Sequence, residues 1–288
     1  MWAAFLASCS NEQIEIPAQT KLQVGVTTPA PFTKAPILTG FFPASSEIGV
    51  TLVDTSNDKY DGTAYKNVRF TETSGKWVPD TDIELTNKVG TAYACYPYQS
   101  GQADITALPI DISTQTDYMY AEPVTNVSIQ SPTANFEMKH ALSVLHLIFK
   151  RGSYTGTGAV TELKVKGNCA ATNATLNAKT GELTNKSGGG TALSFNDTFT
   201  LPSLTTEKHD CYMIVVPSGT SSTLDISFKL DGTTYACTAP ANTLATNHMY
   251  NYNVLVNGTL STVSVGNVYS WNQNSSYQED VTISGSTR

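Results

Sequence analysis

Residues 136–151 read Phe136-Glu137-Met138-Lys139-His140-Ala141-Leu142-Ser143-Val144-Leu145-His146-Leu147-Ile148-Phe149-Lys150-Arg151 and form the densest apolar run of the chain. Two periodicities compete in this run, because Met138, Leu142 and Leu145 fit one helical face, whereas residues 144–150 alternate as in a strand. We therefore expect a short turn over 138–143, followed by a buried strand over 144–150. The run also separates two halves of different pattern, which predicts a domain boundary near residue 135.

The two histidines of the run, His140 and His146, are the first candidates for a functional site. They lie six residues apart across an expected change of structure, and that spacing suits no common metal site. The remaining histidines, His209 and His248, are scattered along the second half. We predict structural histidines with satisfied hydrogen bonds, and no metal site.

The composition excludes several classes of function. Only 14% of the 288 residues are charged and the net charge is -7, so the chain lacks the basic surface that binds nucleic acid or anionic lipid. Its 14 tyrosines and 20 glycines, together with many Thr, Ser and Asn residues, are typical of strands with hydroxylated outer faces and many turns. No stretch reaches the roughly 18–20 apolar residues of a membrane helix.

The N-terminal stretch resembles a bacterial lipobox, which here reads Leu6-Ala7-Ser8-Cys9. In such precursors the cysteine is lipidated after export, so the resemblance implies lipidation at Cys9 and a signal remnant with a tether over residues 1–20. No Lys or Arg precedes the apolar run, which is shorter than a full signal peptide. The alternative is a frayed N-terminal segment without a role.

The first strand is predicted over residues 21–27, where Leu22, Val24 and Val26 alternate with polar or small residues. Three prolines follow within residues 28–36, and they prevent regular strand pairing there. The sequence thus predicts a strand joined to the rest of its domain, residues 21–135, by an extended linker that a protease can reach.

Strand and turn signals then recur every 8–12 residues up to about residue 135, which favours a β-sandwich. Residues 104–120 show no clear period, and we expect a loop with a short helical turn there. Asp104, Asp111 and Asp117 lie in that segment without the spacing of a calcium loop, so we expect solvated carboxylates.

The second half, residues 136–288, repeats the all-β pattern. Residues 211–217 are nearly all apolar and predict a central strand buried on both faces. Strict alternation over 224–230, the turn Asp231-Gly232 and the return over 235–237 predict a hairpin. Further strands are expected over 249–256 and in the Ser- and Thr-rich C-terminal segment, where Val281 and Ile283 alternate with polar residues.

Cysteine usage is sparse outside the lipobox. An exported chain permits disulfides, and the sequence leaves three pairings open for four cysteines. Their number is too small for a disulfide-stapled scaffold, so we expect buried free thiols in strands. They are Cys95, Cys169, Cys211 and Cys237.

Motifs of catalysis and cofactor binding are absent from the sequence: it contains no G-x-S-x-G, H-E-x-x-H, P-loop or dinucleotide fingerprint. We predict that the protein is not an enzyme and holds no cofactor. Aromatic residues are spread evenly along the expected strands, so core packing explains them better than a carbohydrate platform does.

Several segments, in order, resemble the fimbrillin family, the lipoprotein precursors of fimbrial subunits and related adhesins of gut and oral anaerobes. These segments are Leu6–Cys9, Thr33-Lys34-Ala35 ahead of Ile48-Gly49-Val50, Ala92-Tyr93-Ala94-Cys95-Tyr96-Pro97-Tyr98, Asp117-Tyr118-Met119-Tyr120-Ala121, Phe136–Ser143, Tyr212-Met213-Ile214-Val215-Val216-Pro217, His248-Met249-Tyr250-Asn251-Tyr252-Asn253-Val254 and Trp271.

The resemblance implies two tandem transthyretin-like β-sandwich domains and assembly by donor-strand exchange. A trypsin-like protease would cut between Lys34 and Ala35, the strand with Leu22, Val24 and Val26 would leave, and a strand of a neighbouring subunit would take its place. The C-terminal segment with Val281 and Ile283 is a compatible donor. The implied location is a fimbrium at the cell surface, anchored by lipid to the outer membrane.

The sequence departs from the family at the cleavage position, where stalk subunits typically carry Arg and this chain has Lys34. An uncut subunit would be an anchor or accessory component rather than a stalk repeat. The competing hypothesis is a surface lipoprotein that does not polymerise and binds glycans or host proteins.

Overall fold

The computed structural model describes residues 20–27, 42–204 and 206–257, together with the backbone of residues 261–270. Its regular elements are β-strands, apart from a turn of 3-10 helix at Ile112–Thr114. The expected all-β fold is therefore confirmed.

Apart from β8, the strands of the first half form one large sheet with the order β2-β11-β9-β7-β3-β4-β5, in which β10 also pairs with β7, and a small sheet of β1 and β6. The strands are β1 Thr20–Lys21, β2 Gln23–Thr27, β3 Glu47–Asp54, β4 Tyr65–Thr73, β5 Lys76–Pro79, β6 Glu84–Leu85, β7 Gly90–Tyr96, β8 Leu108–Asp111, β9 Met119–Ala121, β10 Val124–Val127 and β11 Thr133–His140.

The second half contains two five-stranded sheets, β14-β19-β12-β22-β23 and β17-β13-β20-β21 with β18 beside β13. A third sheet, β16-β15-β8, takes β8 from the first half of the chain. The strands are β12 Ser143–Arg151, β13 Ala159–Lys166, β14 Ala170–Ala171, β15 Asn173–Asn177, β16 Glu182–Ser187, β17 Leu193–Ser194, β18 Phe199–Thr200, β19 His209–Pro217, β20 Ser222–Leu230, β21 Thr233–Asn242, β22 His248–Val256 and β23 Ser261–Ser270.

Two apolar cores form between these sheets. The first contains Leu22, Phe70, Phe136 and Met138, and the second is built around β12, β19, β20 and β22. Buried Ile110 of β8 belongs to the second core, so the segment between β7 and β9 packs on the second half of the molecule.

The prediction of a short turn over residues 138–143 is wrong. Strand β11 continues to His140, and only Ala141 and Leu142 separate it from β12. Residues 133–140 alternate between exposed and buried positions, with Phe136 and Met138 inside. This two-residue period outweighs the helical spacing, because one face of the strand covers the first core.

The expectation for residues 104–120 is also partly wrong. Leu108-Pro109-Ile110-Asp111 forms β8, with alternate residues buried, and pairs antiparallel with β15. The expected turn of helix follows at Ile112–Thr114. Asp104 and Asp111 are exposed as predicted, whereas Asp117 is 1% exposed and is not a solvated loop carboxylate.

The strongest local patterns of the second half are confirmed. Residues 213–217 of β19 are all buried, and β20 and β21 form the expected hairpin. Its turn has positive φ at Asp231 (46°) and Gly232 (83°), the conformation that an Asp-Gly pair favours. Strand β23 was not predicted, although Val263 and Val265 alternate with polar residues in the sequence.

Candidate functional site: the first strand and the edge of its sheet

The segment 20–27 joins two sheets of the first half. Strand β2 pairs in parallel with β11, residues 23–27 opposite residues 133–137, and β1 pairs with β6. Between them, the Leu22 N–H donates to Ile83 O at 2.9 Å, and the Gln23 N–H donates to Pro132 O at 2.8 Å. The expected strand over 21–27 is thus present as two short strands that meet at Leu22.

The apolar face of this segment points into the first core. Leu22 is 5% exposed, and Val24 and Val26 are half-buried against the core, whereas Gln23 and Thr27 face solvent. Full burial of one such side chain contributes about 1.5–3 kcal/mol, and a half-buried valine contributes less. The hydrophobic anchoring of the segment is therefore concentrated at Leu22.

Gly25 lies directly opposite Asn135 in the parallel pair. A Cβ atom at Gly25 would lie 2.3 Å from Asn135 Oδ1, so the Asn135 side chain covers the position that a larger residue would need. Lys21 forms an ion pair with Asp82, and the hydrogen bond to that carboxylate raises the pKa of Lys21. Both partners are about half exposed, so this pair adds little to stability.

Strand β11 depends on β2 for part of its pairing. Its residues 138–140 pair with β9, but residues 133–137 have β2 as their only strand partner within the described chain. Removal of β2 would leave the backbone groups of those residues without a strand and would uncover the core beside Leu22. Such an edge is a template for the addition of another strand.

The other predicted processing and anchoring residues lie outside the described residues. They are Cys9, Lys34, Ala35, Val281 and Ile283. The linker that contains Lys34 connects Thr27 to Phe42, and the Phe42 ring packs against Trp77 and Tyr96 with centroid distances of 5.3 and 5.1 Å. Trp77 is thus a half-buried core aromatic, as predicted.

The two histidines of the apolar run 136–151, His140 and His146, form hydrogen bonds with other side chains, as the sequence predicted. Nδ1 of His140 lies 2.6 Å from Oδ2 of Asp117, and both side chains are fully buried. Nδ1 of His146 lies 2.8 Å from Asn251 Oδ1, and its Nε2 lies 2.8 Å from Asp210 Oδ1. No group of three metal-ligating side chains occurs among the described residues.

The four cysteines within the described ranges are buried free thiols, as expected. Cys95, Cys211 and Cys237 lie in strands as predicted, whereas Cys169 lies in the turn before β14. Burial raises the pKa of both Cys95 and Cys237 to about 12, which keeps these thiols protonated and unreactive. No described helix has the length and apolar character needed to cross a membrane.

The comparisons with known proteins agree with this architecture. The sequence profile described as fimbrillin-like matches residues 33–271, which is most of the chain. The chain belongs to the fimbrillin-like family. This membership supports a role as a fimbrial or cell-adhesion subunit at the cell surface, and the family is one of structural subunits rather than enzymes. No curated protein sequence matches the chain at a significant level.

Solved structures share the fold of this fimbrillin-like chain. A candidate cell adhesion protein from Bacteroides uniformis has a TM-score of 0.67 and 18% identity, over 88% of this chain and 99% of that one. A candidate cell adhesion protein from Bacteroides ovatus gives 0.66 and 18%, over 87% and 98%. A fimbrial protein from Bacteroides vulgatus gives 0.55 and 13%, over 87% and 99%. At these identities the similarity establishes the fold alone.

Two features of the structure could not be found from the sequence, one at this site and one beside β19 in the second half. The parallel pairing of β2 with β11 could not be read from the chain, because the two strands are more than a hundred residues apart. Gln115 was also missed, although its side chain pairs with the backbone of Ile214 in the manner of a strand. No local pattern marks such a glutamine, since its partner is distant in sequence.

Proposed function

We propose that the protein is a fimbrial or adhesive subunit that is exported as a lipoprotein and assembles by proteolysis-triggered donor-strand exchange. Acylation at Cys9 tethers the precursor to the outer membrane, and a trypsin-like protease cuts between Lys34 and Ala35. The segment with Leu22, Val24 and Val26 then leaves, and a strand of a neighbouring subunit, with Val281 and Ile283, takes its place. Each half of the subunit is a transthyretin-like sandwich in this proposal.

The observation that carries the proposal is the dependence of β11 on β2. Residues 133–137 have no second strand partner within the described chain, and the segment 20–27, which contains β2, has one buried anchor, Leu22. A neighbouring subunit's strand would restore the backbone hydrogen bonds and bury alternate apolar side chains, which is the physics of strand addition. Val281 and Ile283 have the two-residue spacing of Val24 and Val26.

The position of the proposed cut supports the order of events. Cleavage at Lys34 separates β2 from Phe42, where the described chain resumes, so the cut leaves β2 held by non-covalent contacts only. The five residue pairings of β2 with β11, the two pairings of β1 with β6 and the nearly buried Leu22 hold the segment 20–27. A strand of higher apolar content or higher effective concentration could therefore displace it.

Limited proteolysis tests the proposal. The full chain is treated with trypsin at limiting concentration, and its size is followed by size-exclusion chromatography with light scattering, next to the Lys34→Gln variant. We expect cleavage at Lys34, loss of the N-terminal fragment and growth of oligomers in the wild type only. A cut chain that loses the fragment and stays monomeric would contradict strand exchange, and a chain that is not cut at Lys34 would contradict the processing step.

Lipid attachment is tested separately. We expect bacteria that express the full precursor to incorporate labelled palmitate into the wild-type protein and to deliver it to the membrane fraction. The Cys9→Ala variant should lack the label. Equal labelling of both proteins would exclude Cys9 as the acylated residue.

A second candidate function is a surface lipoprotein that binds glycans without polymerising. A cavity beside β19 favours it, because polar and aromatic residues line this cavity and none of them belongs to β2 or β11.

A further inference from the structure

A cavity of about 200 Å³ opens along one edge of β19 in the second half of the molecule. It lies between this strand and the loop that follows β17. Its lining residues include Phe195, Asn196, Asp197, Asp210, Tyr212 and Met213.

The floor of the cavity is apolar and fixed. Phe195 and Met213 are 7% and 3% exposed, and the Phe195 N–H donates to Leu163 O at 2.8 Å, which anchors the loop. The aromatic walls are held in plane by stacking. Tyr212 lies flat on His146 at 4.2 Å between ring centroids, and His209 lies flat on Phe199 at 3.8 Å.

The backbone of β19 borders the cavity on a side that no described strand covers between His209 and Met213. Further along β19, the backbone groups of Ile214 face the same side, and there the side chain of Gln115 forms the hydrogen bonds that a neighbouring strand would form. Gln115 Oε1 accepts from the Ile214 N–H at 2.7 Å, and its Nε2 donates to Ile214 O at 3.2 Å. Because alternate residues of a strand direct their backbone groups to the same side, those of Asp210 and Tyr212 also face outward.

Polar side chains surround the opening. Asn196 and Asp197 are exposed on the loop, and Asp210 stands on β19. Asp210 accepts two hydrogen bonds, and both are to its Oδ1 atom. The donors are His146 Nε2 at 2.8 Å and Lys208 Nζ at 3.0 Å. Within the described chain no donor contacts Oδ2, so this oxygen can accept a hydrogen bond from a ligand.

Burial raises the pKa of Asp210, but the hydrogen bonds from His146 and Lys208 outweigh it and lower the pKa below the ordinary value. Asp210 is therefore ionised at neutral pH. The cavity combines an apolar floor, flat rings and negatively charged acceptors, and Gln115 closes one end of it. A closed end suits a compact ligand better than an extended peptide that passes along the edge.

We propose that this cavity binds one neutral monosaccharide unit of a glycan. A pyranose ring has an apolar face of C–H groups, which can contact the exposed parts of the Phe195 and Met213 side chains, and a rim of hydroxyl groups, which can donate to Asp197 and Asp210. Charge-assisted hydrogen bonds of this kind are the strong ones. The same carboxylates repel an acidic sugar, so the site selects against sialic acid. The inference does not rest on strand exchange.

The test uses the full chain and free methyl glycosides of galactose, mannose and N-acetylglucosamine, with methyl sialoside as the acidic probe. Saturation-transfer difference NMR detects binding, and titration gives the affinity. We expect at least one neutral glycoside to bind and the sialoside not to bind. Asp197→Ala and Asn196→Ala should each weaken binding, about tenfold for the charged residue, since about 1.4 kcal/mol corresponds to a factor of ten.

Asp58→Ala is the matched control, because Asp58 is an exposed acid in a loop of the first half. The Asp58→Ala variant should bind the glycosides as the wild type does. All three variants should have the wild-type midpoint of thermal unfolding, since the altered side chains are exposed. The proposal is overturned if no neutral glycoside binds, if both cavity variants bind as the control does, or if the sialoside binds as well as the neutral sugars. Binding of an extended lysine-containing peptide in place of sugars would overturn it as well.

Discussion

At the scale of single residues, the buried pair of Asp117 and His140 ties the connection between β8 and β9 to the end of β11. Both side chains are fully buried, and Nδ1 of His140 lies 2.6 Å from Oδ2 of Asp117. Removing one partner of a buried pair destabilises a protein more than replacing both partners with apolar residues, because the remaining polar group stays buried without its partner. The pair is therefore a sensitive point of the fold.

We predict that Asp117→Ala destabilises the protein by about 3–5 kcal/mol. Urea unfolding measures the change, and Asp58→Ala, at an exposed position, should stay within about 0.5 kcal/mol of the wild type. A loss below about 1 kcal/mol for Asp117→Ala, with an unchanged slope against urea, would show that the pair contributes little.

Asp210 predicts a pH dependence with a defined sign. Its pKa in the folded protein lies below the ordinary carboxyl value of about 3.9, so the unfolded chain binds its proton more readily. The stabilisation is complete at neutral pH and is lost as the pH falls from about 4 through the folded pKa. Because half-exposed groups are screened by solvent, we expect a modest effect.

Unfolding of the wild type and Asp210→Asn between pH 2 and pH 7 checks this prediction. The difference in unfolding free energy between the two proteins should be largest near neutral pH and should shrink below about pH 4. A difference that is constant over the whole range would mean that the carboxylate is not preferentially ionised in the folded state.

At the scale of elements, the segment 20–27, which contains β2, is anchored on one face only, and its two faces should respond differently to substitution. Leu22→Ala removes a nearly buried side chain and should cost about 2–4 kcal/mol, whereas Gln23→Ala, on the solvent face, should stay near the wild type. Urea unfolding of the uncut chain compares the two. Equal losses would mean that β2 is held by its backbone rather than by Leu22.

The sequence predicted elements well where one face of a strand is buried. The hairpin of β20 and β21, the buried strand β19 and the apolar face of residues 22, 24 and 26 follow from a two-residue period and from turn chemistry. The turn over residues 138–143 was predicted wrongly because Met138, Leu142 and Leu145 also fit a helical spacing, which competes with the two-residue period of β11 in this apolar run.

The pairing of β2 with β11 and the cavity beside β19 could not be predicted, and the reason is a different one. The partner of β2 is decided by the packing of β11 more than a hundred residues later, and the cavity beside β19 gathers residues from three separate segments. Asp117 was misplaced because its exposure depends on His140, which local sequence does not reveal. Local patterns indicate strands and turns, but not which distant groups meet.

At the scale of the whole molecule, the two cores are linked by the segment between β7 and β9. Strand β8 pairs with β15, and the Ala178 N–H of the second half donates to Ile105 O at 2.8 Å. Lys179 lies over the Tyr93 ring at 4.8 Å, so the turn between β15 and β16 also touches the first sheet. Substitutions in the first half of the chain should therefore affect the second core.

Ile110→Ala tests this coupling. Ile110 is 2% exposed in the second core, and its truncation should cost about 2–5 kcal/mol. Hydrogen exchange measured by mass spectrometry should show faster exchange in β15, its pairing partner, than in β3 and β4. Faster exchange confined to the first sheet would contradict the assignment of β8 to the second half.

The central claim is that the first β-segment can be replaced by an equivalent strand of another molecule, and peptide competition tests it most directly. The chain is cut with limiting trypsin and mixed with an excess of a synthetic peptide of residues 20–27, or with the same peptide carrying Leu22→Asp and Val24→Asp. The account predicts that the native peptide keeps the cut chain monomeric in light scattering while the acidic peptide lets oligomers grow. Oligomer growth that is equal with both peptides would contradict it.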